Sequence, residues 1–427
     1  MSNAIRKVDK ELEMKEKTSS TDRRPWWQAW GPSAIVAAAI VGPGTITTVS
    51  VTGATYGYQG AWIIVLACFI AYFVQKPVIK WTIQTSTGAM EGVRNEIGKG
   101  WAIFLYIALL IGALAFQAGN FLGAAMALNF FAPNVSFVTW VALLSFGALA
   151  ISLIGVYKLI ENINRTIIVL MAAAFLITVI ASGPSASEIA TTGFSFQIPG
   201  GDYWLVLALI ATTLPPNTVL ALSAFTKRKY SQDHSISQEE KIRRGHADLR
   251  VNFIITAFIT LSILICAGAT LYGTGATVTS AGDMAGQLTP VLGQYAGILF
   301  ALGLWAAGFS SGLFNLSVQP MLFGQAFGTS EDAKAHMNRG IMIATAILPV
   351  LIVFLFGQMP IELIISAQAL NGLLLPIIVG FIWILSNKKG KLGFYKNTLV
   401  QNIRYGIILA IVSVLAVRVL LQLIGAI

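Results

Sequence analysis

Residues Val41–Val49 read VGPGTITTV and lie inside an apolar run long enough to cross a bilayer. Proline removes a backbone donor and clashes with the preceding turn, and glycine is the poorest helix former after it. In hydrocarbon an unpaired backbone group costs several kcal/mol, so such a break survives only inside protein or beside a wet cavity. A second break, Thr213–Asn217 (TLPPN), also falls mid-span. The rest of the chain reads as a frame that holds these two breaks opposite each other.

Of 427 residues, 56% are hydrophobic and 11% charged, whereas a soluble protein carries roughly 25% charged residues. The expected fold class is an all-α polytopic membrane protein. Cys68 and Cys266 sit in apolar runs and read as small core residues, without a disulfide framework or a CxxC metal site. The three histidines, His234, His246 and His336, are read as lying in polar loops, which argues against a buried histidine metal centre.

A net charge of +10 invites a nucleic-acid reading, but the positions of the charges argue for topology instead. Eleven spans are expected, at about 31–57, 60–86, 101–131, 136–157, 162–182, 202–226, 250–276, 286–325, 339–357, 360–386 and 402–427; roughly 20 apolar residues are needed to cross, and spans three and eight are long enough to tilt or extend beyond the bilayer. Basic residues cluster in the amino-terminal tail (Arg23 and Arg24 among them), after span six (Lys227 to Arg244) and after span ten (Lys388 to Lys396). The loops at 183–201 and 273–285 contain neither Lys nor Arg. The positive-inside rule then puts the amino terminus in the cytoplasm and, with an odd number of spans, the carboxyl terminus outside. Residues 1–30, ending in Trp26, Trp27 and Trp30, read as a cytoplasmic tail meeting the membrane interface, with no cleavable signal peptide. The mixed-charge stretch Lys227–Arg250 is read as a loop with room for an amphipathic helix.

Breaks in spans one and six occupy corresponding places in two five-span halves. Such a pair is the sequence sign of an inverted repeat with a substrate site between half-helices near the midplane. The expected units are residues 31–182 and 202–386, with 402–427 as an added eleventh helix.

Several separated motifs now resemble one family in order. PSAIVAAAIVGPGTITTVSVTGATYGYQGAW (Pro32–Trp62) resembles the first-span signature of the NRAMP divalent-metal transporters, and IATTLPPNTVLALSA (Ile210–Ala224) their sixth span. GLWAAGFSSGLFNLSVQPMLFGQAF (Gly303–Phe327) and YKLIENI (Tyr157–Ile163) resemble their eighth span and the segment entering the fifth. The resemblance implies a LeuT-type 5+5 inverted repeat with broken helices 1 and 6, and alternating-access transport.

The departures bear on the substrate. Where the family pattern has Asp and Asn in the first break, this chain has Gly42 and Thr45. In the sixth-span pattern Ala211 is kept, Met becomes Leu214 and His becomes Pro216. The acidic third-span positions linked to proton movement align with Ile111, Gln117 and Asn120. A thioether favours softer transition metals over hard ions, so its replacement by Leu214 removes that preference. What remains is neutral oxygen: the Thr45 hydroxyl, carbonyls freed near Gly42 and Ala211, and the amides of Asn217, Gln368 and Asn371. Half-helix carboxyl ends add partial negative charge. Mg²⁺ dehydrates reluctantly and usually keeps several waters, and a small uncharged hollow has room for it.

The pattern resembles the NRAMP-related magnesium transporters. That resemblance implies uptake of Mg²⁺, with Mn²⁺ also accepted, across a bacterial plasma membrane and without proton coupling. Loss of titratable intramembrane side chains points the same way. The metal is substrate, with no cofactor expected, and a monomer is the expected state. The candidate ion-site residues are Gly42, Thr45, Ala211, Leu214, Asn217 and Gln368. A competing reading is a LeuT-type transporter of another cation or a small organic solute. A sensor that has lost its substrate is a third reading, disfavoured because no large soluble signalling domain follows. Enzyme readings find no nucleophile–base pair, phosphate loop or metal triad.

Overall fold

A computed structural model describes residues 32–154, 157–231, 235–275, 277–356, 360–393 and 396–425. The expected cytoplasmic tail, with Trp26, Trp27 and Trp30, lies outside the described residues.

The first span is cut into α1 (Pro32–Ile40) and α2 (Pro43–Tyr56), separated by Val41 and Gly42. Pro43 has no N–H, so the carbonyl of Ala39 loses the donor that a continuous helix would supply. Ser311 replaces it, its Oγ donating to the Ala39 oxygen at 3.3 Å. The chain goes on through α3 (Ala61–Thr85), α4 (Ala89–Glu96), α5 (Lys99–Phe131), α6 (Phe137–Ile154) and α7 (Tyr157–Ser182). The short α8 (Ala186–Gly193) turns off α7 at 110°.

The sixth span is likewise two helices, α9 (Tyr203–Thr213) and α10 (Pro216–Tyr230). Two consecutive prolines stop α9, because Ala211 and Thr212 would need the N–H groups of Pro215 and Pro216. Pro215 is extended (φ −60°, ψ 129°), as a residue preceding proline prefers. Thr218 caps the restart, its backbone N–H and its hydroxyl both donating to the Pro215 carbonyl.

The remaining spans are α11 (Gln238–Thr270), α12 (Ala296–Phe327), α13 (His336–Phe356), α14 (Pro360–Gly372), α15 (Leu375–Ser386) and α16 (Leu399–Leu423). Nine helices among the described residues are long and apolar enough to cross a membrane. The bent pair of α7 and α8 makes a tenth, and the halved first span is the eleventh expected segment.

One expectation is refined and another needs correction. The region 360–386 is one span, as expected, with a short interruption at Leu373 and Leu374, where Pro376 deprives the Gly372 carbonyl of its donor. Of the histidines read as lying in loops, His234 lies outside the described residues, His336 is the first residue of α13 and His246 is inside α11. Ser237 caps α11 by accepting from the Glu240 N–H, so the helix starts well before its apolar part and carries His246 half-buried against α3. This extension is the helix anticipated within Lys227–Arg250, with Glu240 pairing to Arg243 and Arg244 at 2.7 Å each.

Burial sorts the helices into centre and periphery. The apolar stretch of Tyr203–Tyr230 is buried throughout, whereas α6, α13 and α16 turn most of their apolar surface outward. In lipid no hydrophobic force drives helices together, so small residues permit close backbone approach. Gly308 of α12 is one such point against α5, where a Cβ would lie 2.5 Å from the Asn120 carbonyl oxygen, a backbone atom that cannot turn aside. Gly123 of α5 receives the ring of Pro43, which fixes the first break against the same helix. At the basic end of the bundle, Lys227 of α10 pairs with Glu91 of α4 at 2.9 Å and with Glu331 at 3.2 Å.

Replacing Gly308 by Ala forces a backbone clash and should destabilise the protein by about 1–3 kcal/mol. Gly380→Ala, where a Cβ meets nothing within 4 Å, should be neutral or stabilise by up to about 1 kcal/mol. Thermal melting in detergent checks the pair, and equal melting points would refute this account of the α5–α12 crossing.

Candidate functional site at the helix breaks

The two breaks meet. The Thr45 hydroxyl lies 2.7 Å from that of Thr212 and also bonds the Ile40 carbonyl. If Thr45 donates to Ile40, Thr212 donates to Thr45, and both hydroxyls stay satisfied while leaving lone pairs free. Thr45, Ala211, Thr212 and Leu214 are all buried. No room for an ion with its water exists between these two hydroxyls in this conformation, so the hollow expected here is closed.

Gly42 starts α2 with ordinary dihedrals (φ −96°, ψ −175°). Its constraint is space, since a Cβ would lie 2.8 Å from Ser311 Oγ. Ser311 thus touches the first break twice, through Gly42 and through the Ala39 carbonyl, yet nothing in its stretch GFSSG singles it out. Leu214 leaves the helical region (φ −127°, ψ 64°) while its N–H still donates to Ile210.

Gln368 approaches from α14. Its Nε2 would be 2.1 Å from a Cβ on Gly44, so the amide lies flat against the start of α2. The side chain is fully buried, and neither Oε1 nor Nε2 has a hydrogen-bond partner among the described residues. Both Asn120 amide atoms and the hydroxyls of Thr47 and Thr48 share that condition. Buried polar groups are normally paired, and each orphan calls for a specific reason.

Asn217 behaves differently. Its Nδ2 donates to Asn315 Oδ1 at 2.9 Å, and Gln319 donates to the same oxygen at 3.1 Å. Asn315 in turn donates to Gln117 Oε1 and to the Ala113 carbonyl, and Gln117 to the Gly312 carbonyl. This network ties α10, α12 and α5 together. Asn217 therefore faces the network rather than the Thr45–Thr212 contact, with its Oδ1 unused among the described residues. Asn371 donates back to the Ala367 carbonyl of its own helix at 3.3 Å. Ile111, aligned with an acidic position, is 66% exposed and points away from the breaks.

The arrangement offers hydroxyl, amide and carbonyl oxygen without formal charge. Among the described residues no three His, Cys, Asp or Glu side chains are grouped to hold a metal. A family profile described as natural resistance-associated macrophage protein-like matches residues 33–422.

The chain belongs to the Nramp family.

Its curated relatives include the divalent metal cation transporter MntH of Deinococcus radiodurans, 26% identical over 80% of this chain and 77% of the relative. The natural resistance-associated macrophage protein 2 homolog of Dictyostelium discoideum is 27% identical over 92% of the chain and 63% of its own length. Among solved structures, the manganese transporter of Eremococcus coleocola aligns with a TM-score of 0.77 at 19% identity, covering 92% of this chain and 87% of that one. MhsT, solved in complex with L-phenylalanine, aligns with a TM-score of 0.63 at 18% identity over 90% and 98% of the two chains. This Nramp protein thus has the LeuT-type fold and is a multi-pass membrane transporter of metal ions rather than an enzyme, with metal as substrate and not as cofactor.

The orphaned and the networked amides of this Nramp chain should respond oppositely to removal. Gln368→Leu deletes two unsatisfied polar atoms and should leave the melting point unchanged or raise it, by up to about 1–3 kcal/mol in stability. Asn315→Leu strands Asn217, Gln117 and Gln319 and should cost at least about 2 kcal/mol. A destabilised Gln368→Leu protein would mean that its amide has partners after all.

Proposed function

We propose that the protein mediates uptake of largely hydrated Mg²⁺, accepting Mn²⁺ as well, by alternating access and without proton coupling. The carrying observation is the donor set at the breaks: Thr45 and Thr212 in contact, the unpartnered Gln368 amide beside them, and no carboxylate or thioether among these groups. Neutral oxygens bind hard cations weakly and give no advantage to softer transition metals. Retained waters would supply most of the inner shell. Gly42 and Ala211 would contribute backbone near the ion, Thr45 and Gln368 side-chain oxygen, and Leu214 an apolar wall, while Asn217 would hold the neighbouring network. Parting the Thr45–Thr212 contact would open the hollow that this conformation closes.

The absence of titratable groups among these residues supports transport driven by the membrane potential, since a proton path needs side chains that titrate. The names of the curated relatives support a divalent metal as cargo. In this reading residues 31–182 and 202–386 are the two inverted repeats and 402–427 an added helix. The protein would act as a monomer in a bacterial plasma membrane. The basic clusters favour a cytoplasmic amino terminus and an external carboxyl terminus.

Proteoliposomes loaded with a Mg²⁺ indicator and a pH indicator test the reading. Mg²⁺ influx is expected with no change in lumenal pH. Influx that required a proton gradient would overturn the uncoupled mechanism, and a response to an organic solute but to neither Mg²⁺ nor Mn²⁺ would favour the competing reading.

The triple variant Gly42→Asp, Thr45→Asn and Leu214→Met restores acid, amide and thioether donors. Gly42 accepts a side chain once Ser311 turns aside, because the obstructing atom ends a rotatable side chain. The preference for Mn²⁺ over Mg²⁺ should rise at least about tenfold, or about 1.4 kcal/mol. Unchanged selectivity would move the site elsewhere.

A further inference from the structure

Away from the breaks, a cavity of about 280 Å³ opens where α3, α11 and α16 meet, lined by Phe73, Lys76, Lys80, His246, Gln401 and Arg404 among others. We propose that this cavity binds the phosphate of an anionic phospholipid headgroup.

The first reason is uncompensated charge. Lys76 and Lys80 stand one turn apart on α3, a spacing at which like charges repel. Arg404 joins them from α16, and among the described residues no Asp or Glu lines the cavity. Among the described residues none of these three cations has a carboxylate within ion-pair distance. The carboxylates that do pair at this end of the bundle, Glu91, Glu96, Glu240 and Glu331, are taken by other cations.

The second reason is that the cavity is built and held. Arg404 lies over the Phe73 ring, with its guanidinium carbon 3.9 Å from the ring centroid. That contact fixes the plane of the fork and leaves its N–H edges for an anion, the geometry that suits phosphate. His246 Nε2 donates to the Lys76 carbonyl at 3.1 Å, which locks α11 to α3. Pro77 removes the donor from the Phe73 carbonyl, and the Tyr405 hydroxyl replaces it at 3.2 Å, which locks α16 to α3.

The third reason selects a lipid over a soluble phosphate. Phe73 packs on Phe69 at 4.4 Å between centroids, and Phe69 is 54% exposed. Ile407, one turn from Arg404 on α16, is 56% exposed. Cationic cavity and outward apolar surface therefore adjoin on both helices, as a headgroup with attached acyl chains requires. Basic pockets between spanning helices are known places for anionic headgroups. The inference does not depend on which ion is transported.

The test uses the full-length protein in detergent, with bound lipid read by native mass spectrometry and stability by thermal melting. Added phosphatidylglycerol or cardiolipin should give retained adducts and a higher melting point, and phosphatidylcholine should give neither. Lys80→Gln with Arg404→Gln should weaken retention at least about tenfold. Lys80→Arg should retain binding, which keeps the test valid if the double variant folds poorly. The charge-matched control Arg228→Gln with Lys389→Gln, both on exposed positions, should behave as the parent. Equal retention of phosphatidylcholine, an undiminished effect in the double variant, or the same stabilisation by inorganic phosphate alone would overturn the proposal.

Discussion

A proline nitrogen carries no hydrogen, and in a membrane that fact cannot be repaired by water. Pro43, Pro215, Pro216 and Pro376 each remove a donor from a carbonyl one turn back. At Ala39 the repair is visible: Ser311, from a helix more than 250 residues later in the chain, supplies the missing hydrogen bond. At Ile40 the Thr45 hydroxyl does the same from within the break. The bundle is arranged so that helices able to make such repairs stand beside the interruptions. The close approach of α5 and α12 at Gly308, and of Pro43 to Gly123, follows from that demand.

The site that results is made of leftovers in a chemical sense. Its oxygen atoms are there because the backbone was broken, and its side chains are neutral. In the proposed reading such a set leaves a strongly hydrated ion most of its water. The unpartnered Gln368 amide fits the same picture. A buried amide without partners costs stability, and this one lies against Gly44 at the first break.

What could be read without coordinates was whatever depends on local chemistry. The breaks at Gly42–Pro43 and Pro215–Pro216 are local, because a missing N–H acts four residues back. The interruption at Leu373–Leu374 has the same cause, but it lies in a run of leucines whose hydropathy never dips. The fate of Asn217 depended on Asn315, 98 residues away, and no spacing rule connects them. Ile111 was placed by alignment, but its direction is decided by which face of α5 packs against the bundle. Ser311 has no sequence mark, since its role exists only once Pro43 has orphaned Ala39. His246 went astray because the polar start of α11 looks like a loop until the Ser237 cap is seen to begin the helix there.

The interruption between α14 and α15 carries a mechanical consequence. Gln368 rides on the half that ends at Gly372; Leu373 still donates to Ala369 and Leu374 to Asn371, so α14 and α15 run on as one span whose weak point is the Gly372 carbonyl that Pro376 leaves without a donor. The whole span is about 40 Å long at 1.5 Å per residue. One backbone bond fewer at that joint makes it the softest place along the span, next to the turn that carries the buried Gln368 amide.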